Sequence, residues 1–436
     1  MRLDRRGILI SAVTGFVAGL GAAWLLWQEA PPPREVVSSP VRVASTDLYV
    51  GPSPATTETV EAAPPEEAPP RLPTESLNIA DANLVEGRLV QDLGNGQKVE
   101  FTVVPAVQNR AKSVLEQAEV PFGALVAMEP GTGRILGHVE HSTTMPELQN
   151  LAGLSTPPAA SVFKVITAAA LLEQAQLPAD FEVCFHGGQR GFNLQHLDDN
   201  ARTDTTCRTL TEALARSSNV IFGKLADRHL KPQTLDRYAD AFAWRREIPF
   251  VLPVEVSGAS FSDDRLTFAR TAAGFYHTHL SPIHGALVAS AVGNGGVMMA
   301  PKLVERFTVD DTPVMVRQSA TMGRAIQPRT ARILSEMMVQ TTEMGTARAY
   351  FSRRDRWLRG VRVAAKTGSL SANAANGERH HFSWWIGFAP AENPRIAVAA
   401  LVVNVGAWRI KSTYLAREVM EAYFKAVHNE EISASR

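Results

Sequence analysis

Apolar and polar positions change rhythm several times along this 436-residue chain. Residues 8–27, ILISAVTGFVAGLGAAWLLW, carry no charge and form a run long enough to cross a bilayer as a helix. From 28 to 73 the pattern dissolves. Eleven of the 27 prolines fall between Pro31 and Pro73, among Ser, Thr, Ala and Glu. Such a stretch buries little surface and is expected to be a disordered stalk, reaching on the order of 40 Å as a flexible coil. Residues 74–121 read as a short N-terminal segment or pedestal. FGALVAMEPGTGRILGHVEH (122–141) is two strand-like runs around the turn residues Pro130, Gly131 and Gly133, and predicts a β-hairpin.

From 157 to 350 the apolar spacing is mostly three and four residues, as in TLTEALARSSNVIFGKLADRHL (209–230) and PRTARILSEMMVQTTEMGTARAY (328–350), and predicts helices. The period then returns to strands in RVAAKTGSL (362–370), HFSWWIGFAP (381–390) and RIAVAALVVNV (395–405). A last helix, YLAREVMEAYFKAVHNEE, precedes a tail at 429–436. The fold class this implies is α+β: an antiparallel sheet built from both ends of residues 122–428, flanked by helices, with an all-helical lobe inserted. The cleft between sheet and lobe is the natural place for a site.

Arg2, Arg5 and Arg6 precede the apolar run, so residues 1–7 are expected in the cytoplasm and the rest outside it. The run is longer than a signal-peptide core and shows no small-x-small cleavage site before Gln28, which favours an uncleaved anchor. Lys+Arg and Asp+Glu both number 44, a balance that gives no reason to expect nucleic acid. Two cysteines occur, Cys184 and Cys207. In an exported domain they are expected to be oxidised together; free thiols, or a zinc site with His186 and His196 between them, are the alternatives. No histidine shows metal-ligand spacing, so no metal and no cofactor are expected.

The stretch PPAASVFKVITAAALLE (157–173) is an apolar helix with Ser161, Lys164 and Thr167 three residues apart. Pro157 and Pro158 set the helix start, which puts Ser161 in or just before the first turn with Lys164 on the same face. A serine is a weak nucleophile until a base takes its proton, and a lysine whose pKa is lowered by apolar surroundings can be that base. Thr167 is expected to bond back to its own helix. Alone S-x-x-K is weak, since a chain this long holds about one by chance. SSN at 217–219 lies on a predicted helix, and KTGS at 366–369 on a predicted strand. The three together, in this order, are specific.

On these residues the chain resembles the penicillin-binding transpeptidase domain of monofunctional, membrane-anchored penicillin-binding proteins, whose fold is shared with serine β-lactamases. GALVAMEPGTGRIL, CFHGG…CRTLTEALARSSN, SPIHGALVASAVGNGGVMMAPKLVE, MGTARAYF and FSWWIGFAPAENPRIAVAALV extend the resemblance over about residues 90–428. It implies that Ser161 attacks the carbonyl of a D-Ala-D-Ala stem peptide or a β-lactam, and that Lys164 accepts its proton. Ser217, held by Lys164 and Lys366, would pass a proton to the leaving group, Asn219 orient the substrate amide and Lys164, and Lys366 supply positive charge. Thr367 and Ser369 would bind the substrate carboxylate, and Gly368 let the substrate lie against the strand. The backbone N–H groups of Ser161 and Ser369 would form the oxyanion hole.

The resemblance implies peptidoglycan D,D-transpeptidation at the outer face of a bacterial plasma membrane, blocked covalently by β-lactams. No E-x-x-x-N string lies between Asn219 and Lys366, and position 219 is not valine; both facts disfavour a β-lactamase. A D,D-carboxypeptidase differs only in using water as acceptor and stays open, as does a β-lactam sensor or scaffold. No glycosyltransferase domain is expected in this chain, which leaves glycan polymerisation to a membrane glycosyltransferase partner or makes this a specialised enzyme. FYHTHLSPIHG (275–285) is bulky, with His284 where the family often has glutamine, and is expected to alter the substrate rim. Of Trp384 and Trp385, one is expected in the core and the other toward the cleft. Arg379, His380 and His381 are expected at a polar hairpin tip.

Overall fold

The computed structural model describes residues 71–188, 191–316, 318–352, 356–373 and 377–434. The expected anchor at 8–27 and the stalk up to residue 70 lie outside them; among the described residues no helix is long and apolar enough to cross a membrane. In chain order the elements are β1 (Asn83–Val85), β2 (Arg88–Gly94), β3 (Gln97–Phe101), α1 (Pro105–Gln117), β4 (Phe122–Met128) and β5 (Ile135–Ser142). A 3₁₀ turn (Ala160–Phe163) leads into α2 (Lys164–Glu173), followed by β6 (Glu182–Phe185), β7 (Thr206–Thr209), α3 (Leu210–Ala215), α4 (Asn219–His229), α5 (Pro232–Ala241), α6 (Arg265–Ala272) and α7 (Pro282–Gly293). Then come β8 (Val297–Met299), β9 (Val304–Val309), β10 (Thr312–Val316), β11 (Thr321–Arg324), α8 (Pro328–Glu343), α9 (Arg348–Phe351), β12 (Ala364–Asn373), β13 (Arg379–Ala389), β14 (Ile396–Val405) and α10 (Ser412–Ala434).

The central sheet has the order β12-β13-β14-β4-β5, and every neighbouring pair is antiparallel. Both ends of the region thus supply one sheet, as the strand-like runs predict. Side-chain alternation sorts its two faces. Phe122, Ala124 and Val126 of β4 and Trp384, Ile386 and Phe388 of β13 join the core shared with the helical lobe. Leu125, Ala127, Trp385 and Ala389 face α1 and α10 on the other side. Both tryptophans are fully buried, one on each face, so neither lines an open cleft, and Trp385 packs under helices. His380 too is buried, inside the β12–β13 ladder rather than at a solvated tip, while His381 stacks on Trp408 at 5.1 Å.

Helix α7, apolar on all sides but for His284 and Ser290, is buried from Pro282 to Val292, as expected of a helix in the middle of a core. Gly285 lets it lie directly on the sheet, because an added Cβ would come within 3.2 Å of Ala399 Cβ. His284 belongs to this helix and is fully buried. Its Nε2 lies 2.6 Å from the Phe242 carbonyl oxygen, so it is a core residue and not part of a substrate rim.

Residues 74–121 divide between two layers. Strands β1–β3 form a separate five-stranded sheet with β9 and β10, where β3 pairs antiparallel with β9. Helix α1 instead packs on the central sheet through Val107, Ala111, Val114 and Leu115. Helix α10 continues to Ala434, so residues 429–434 belong to it rather than to a separate tail.

Candidate active site

The 3₁₀ turn that holds Ser161 is fixed from outside. The Ala159 N–H donates to the Thr278 carbonyl at 2.9 Å and Leu280 N–H to that of Pro157 at 3.0 Å. Trp384 Nε1 donates to the Pro158 carbonyl at 2.9 Å. Ala160 takes φ +48°, an uncommon value for a residue with a Cβ and a local strain held by its surroundings. Gly274 makes room for it: a Cβ there would sit 2.1 Å from the Ala160 carbonyl oxygen.

Lys164, the first residue of α2, is fully buried. Its Nζ lies 2.8 Å from Ser161 Oγ, 2.7 Å from Asn219 Oδ1 and 2.6 Å from the Ala273 carbonyl oxygen. Burial, and secondly the charge of Lys366, push its pKa well below the ordinary lysine value. The carbonyl end of α6 works the other way, and burial wins. A neutral amine has two N–H donors and one lone pair. Asn219 Oδ1 and Ala273 O are acceptors that take the two donors, so the lone pair faces the Ser161 hydroxyl. In its neutral form the amine thus aims its lone pair at Ser161 Oγ.

The second motif lies between helices rather than on one. Thr209 and Glu212 form a capping box that starts α3, which ends after Ala215. Ser217 turns the chain at φ +58°, and α4 starts after Ser218, whose side chain makes no capping bond. The expected single helix over 209–230 is thus broken at Ser217. The break aims two side chains at two lysines: Asn219 at Lys164, and Ser217 at Lys366, whose Nζ donates to Ser217 Oγ at 2.9 Å.

The third motif lies on β12, an edge of the central sheet. Lys366 is fully buried, its Nζ also donates to the Thr367 carbonyl at 2.6 Å, and burial lowers its pKa to about 7. A Cβ on Gly368 would meet Val162 Cγ2 at 3.3 Å and Ala160 Cβ at 3.4 Å. The absence of a side chain therefore brings the strand against the nucleophile turn. Ser369 pairs with Ser383 in the ladder, directly after this contact.

All five candidate catalytic residues thus converge. Others enter that the motifs do not contain. Helix α6 ends at Ala272, and its carbonyls there have no partner within the helix. Ala272 O accepts from Thr167 Oγ1 at 2.7 Å and Ala273 O accepts from Lys164. Thr167 therefore bonds across to α6 and not to its own helix. The string TAAGF, with Gly274 at φ +83°, is a helix-stop signal that could have marked these carbonyls. The rings of Phe275 and Phe222 lie 5.6 and 5.9 Å from Lys164 Nζ.

Cys184 and Cys207 face each other across β6 and β7 and are joined as a disulfide. Both sulfurs are thereby withdrawn from metal ligation. His186 stacks on His196 at 5.0 Å, and its Nδ1 lies 2.5 Å from Asp204, which also binds the buried Lys224 at 2.7 Å. Within the loop, Phe192 approaches the Phe275 ring at 6.1 Å, and its carbonyl accepts from Arg270 at 2.9 Å. The disulfide-closed loop thus backs the ring that covers Lys164. An apolar pocket beside the sheet, lined by Ala124, Leu148, Leu151, Pro157, Phe382 and Leu401 among others, holds none of the motif side chains.

Comparison with known proteins places the chain among relatives of known kind. The family model "Penicillin binding protein transpeptidase domain" matches residues 123–425. The chain is similar to peptidoglycan D,D-transpeptidase PbpA of Mycobacterium tuberculosis, 29% identical over 379 residues, covering 77% of this chain and 74% of that one. The crystal structure of PBPA from that organism aligns with a TM-score of 0.60 at 27% identity, covering 74% of this chain and 80% of that one. Its imipenem acyl-enzyme complex aligns with a TM-score of 0.60 at 26% identity, over 74% and 79% of the two chains.

Proposed function

Since the chain belongs to the penicillin-binding protein transpeptidase domain family, we propose that it is a peptidoglycan D,D-transpeptidase working through an acyl-enzyme on Ser161. The observation that carries this reading is the contact of 2.8 Å between Lys164 Nζ and Ser161 Oγ, in a pocket whose burial holds the amine's pKa well below the ordinary lysine value. Ser161 Oγ attacks the carbonyl carbon of the penultimate D-Ala as its proton passes to Lys164. The N–H groups of Ser161 and Ser369 receive the oxyanion; the contact of Gly368 with Ala160 and Val162 supports that pairing. The C–N bond to the terminal D-Ala breaks, and its nitrogen takes a proton through Ser217, held by Lys366. An acceptor amine then attacks the ester, and the same protons run in reverse. Lys366, Thr367 and Ser369 hold the substrate carboxylate. Asn219 fixes Lys164 and orients the substrate amide, and Gly368 lets the peptide lie along the β12 edge. β-Lactams enter as analogues and stop at the acyl-enzyme. No cofactor is required by this chemistry.

We place residues 8–27 as a single anchor in a bacterial plasma membrane, with residues 1–7 in the cytoplasm and 28–73 as the stalk. The catalytic region 122–428 then stands on the outer face. Glycan strands would come from a membrane glycosyltransferase partner. The test is product analysis with a pentapeptide donor, with and without an amine acceptor. Cross-linked product that grows with acceptor concentration supports transpeptidation; release of D-Ala alone at every acceptor concentration would make the enzyme a carboxypeptidase.

A further inference from the structure

Thr346 lies in the link between α8 and α9, outside the three motifs, yet it touches two of them. Its backbone N–H donates to the Ala215 carbonyl at 3.0 Å, two residues before Ser217. The neighbouring Gly345 comes so close to the same carbonyl that a Cβ would stand 2.1 Å from its oxygen. From this docked position the Thr346 hydroxyl reaches β12 and lies 2.5 Å from Thr367 Oγ1. Thr346 and Thr367 sit at the exposed mouth of the site, while Lys366 lies buried behind them.

Two hydroxyls in contact share one proton between them. If Thr367 donates to Thr346, it has no proton left for a ligand. If Thr346 donates to Thr367, the Thr367 lone pair is filled and its own proton is directed outward. An arriving carboxylate selects the second arrangement, because a hydrogen bond to a charged acceptor is stronger than one between hydroxyls. The only other acceptor near the Thr346 hydroxyl among the described residues is the Ala215 carbonyl at 3.5 Å, which competes weakly.

We propose that Thr346 is a positioning residue for substrate recognition: its hydroxyl donates to Thr367 and thereby presents the Thr367 proton to the substrate carboxylate. This rests on the transpeptidase reading above and adds a determinant of binding that acts through another side chain. Thr346→Val keeps the shape and removes the hydroxyl. One ordinary hydrogen bond is worth a few-fold to about tenfold in an equilibrium constant.

The experiment compares benzylpenicillin with its methyl ester, which lacks the carboxylate, as acylating agents of the wild type, Thr346→Val, Thr346→Ser and Thr346→Val in a Thr367→Val background. The expected result is a loss of about three- to tenfold in the second-order acylation constant of Thr346→Val with benzylpenicillin. That loss lies in the binding constant and not the limiting rate. The ester should show no loss, Thr346→Ser should regain the wild-type value within about twofold, and the Thr367→Val background should lose nothing further. Equal losses with acid and ester, no loss with either, or an additive loss in the Thr367→Val background would overturn the proposal while leaving the transpeptidase reading intact. A folded wild type that neither compound acylates would overturn both.

Discussion

Asn219→Asp keeps the shape of the side chain and places a negative charge where Oδ1 now accepts from Lys164 at 2.7 Å. At 2.7 Å and an effective dielectric constant of about 20, opposite unit charges attract by about 6 kcal/mol. Desolvating the new carboxylate takes back a large part of this. The direction follows from the base role. Lys164 can accept the Ser161 proton only above its own pKa, which burial and Lys366 now hold well below the usual lysine value. A carboxylate raises it, so the ammonium persists to higher pH. The acid limb of the acylation profile should move to higher pH by about 1.5 units, and on that limb, below the wild-type pKa, the rate should fall by about thirtyfold. The assay is the second-order rate of labelling by a fluorescent penicillin from pH 5 to 10, with thermal melting to establish that the variant is folded. A folded Asn219→Asp protein that labels at the wild-type rate with an unshifted profile would refute the neutral-lysine account.

Three further outcomes follow from other parts of the molecule. Gly274→Ala puts a Cβ 2.1 Å from the Ala160 carbonyl oxygen at φ +83°; the left-handed backbone alone costs about 1–2 kcal/mol, and displacing the Ser161 turn should slow acylation about a hundredfold. An unchanged rate would show that the turn is set elsewhere. Burial holds the His284 imidazole at about 4, against 6.5 for the free side chain. The unfolded chain therefore takes up this proton first as pH falls, and about 3 kcal/mol of stability is lost between pH 6.5 and 4. His284→Gln should flatten that limb in melting curves, and a parallel limb would contradict the assignment. Replacing Cys184 and Cys207 by serine opens a loop with a sequence separation of 23. It should lower stability by roughly 3 kcal/mol in denaturant titration and slow labelling, because the loop backs Phe275 over Lys164. A denaturation midpoint equal to wild type would count against it.

The parts of the site visible in the sequence are those whose geometry is local. Ser161 and Lys164 share a helix face by spacing alone, and KTGS announces a strand edge through Gly368. Strand-like runs at both ends also disclose the central sheet. The break at Ser217 is hidden because apolar spacing continues across it, from Leu210 and Leu214 to Val220 and Ile221, while serine carries no mark of a positive φ. The Ala272 and Ala273 carbonyls and Thr346 act through contacts about a hundred residues or more away, or through a neighbour's hydroxyl, which no local pattern records. The pairing of β3 with β9 is equally non-local, so residues 74–121 look like one segment when they serve two layers. His284 and Trp385 look polar or amphipathic in isolation. Their burial follows only from the largely apolar helix α7 and the helices covering the second sheet face.

If Ser161 is the nucleophile activated by Lys164, peptide-level mass spectrometry after exposure to benzylpenicillin finds the acyl group on it. The expected result is one intact penicillin on the peptide that contains Ser161, stable for hours, and no adduct on a Ser161→Ala protein with an unchanged melting temperature. A folded wild type without adduct, or an adduct that persists in Ser161→Ala, would contradict it.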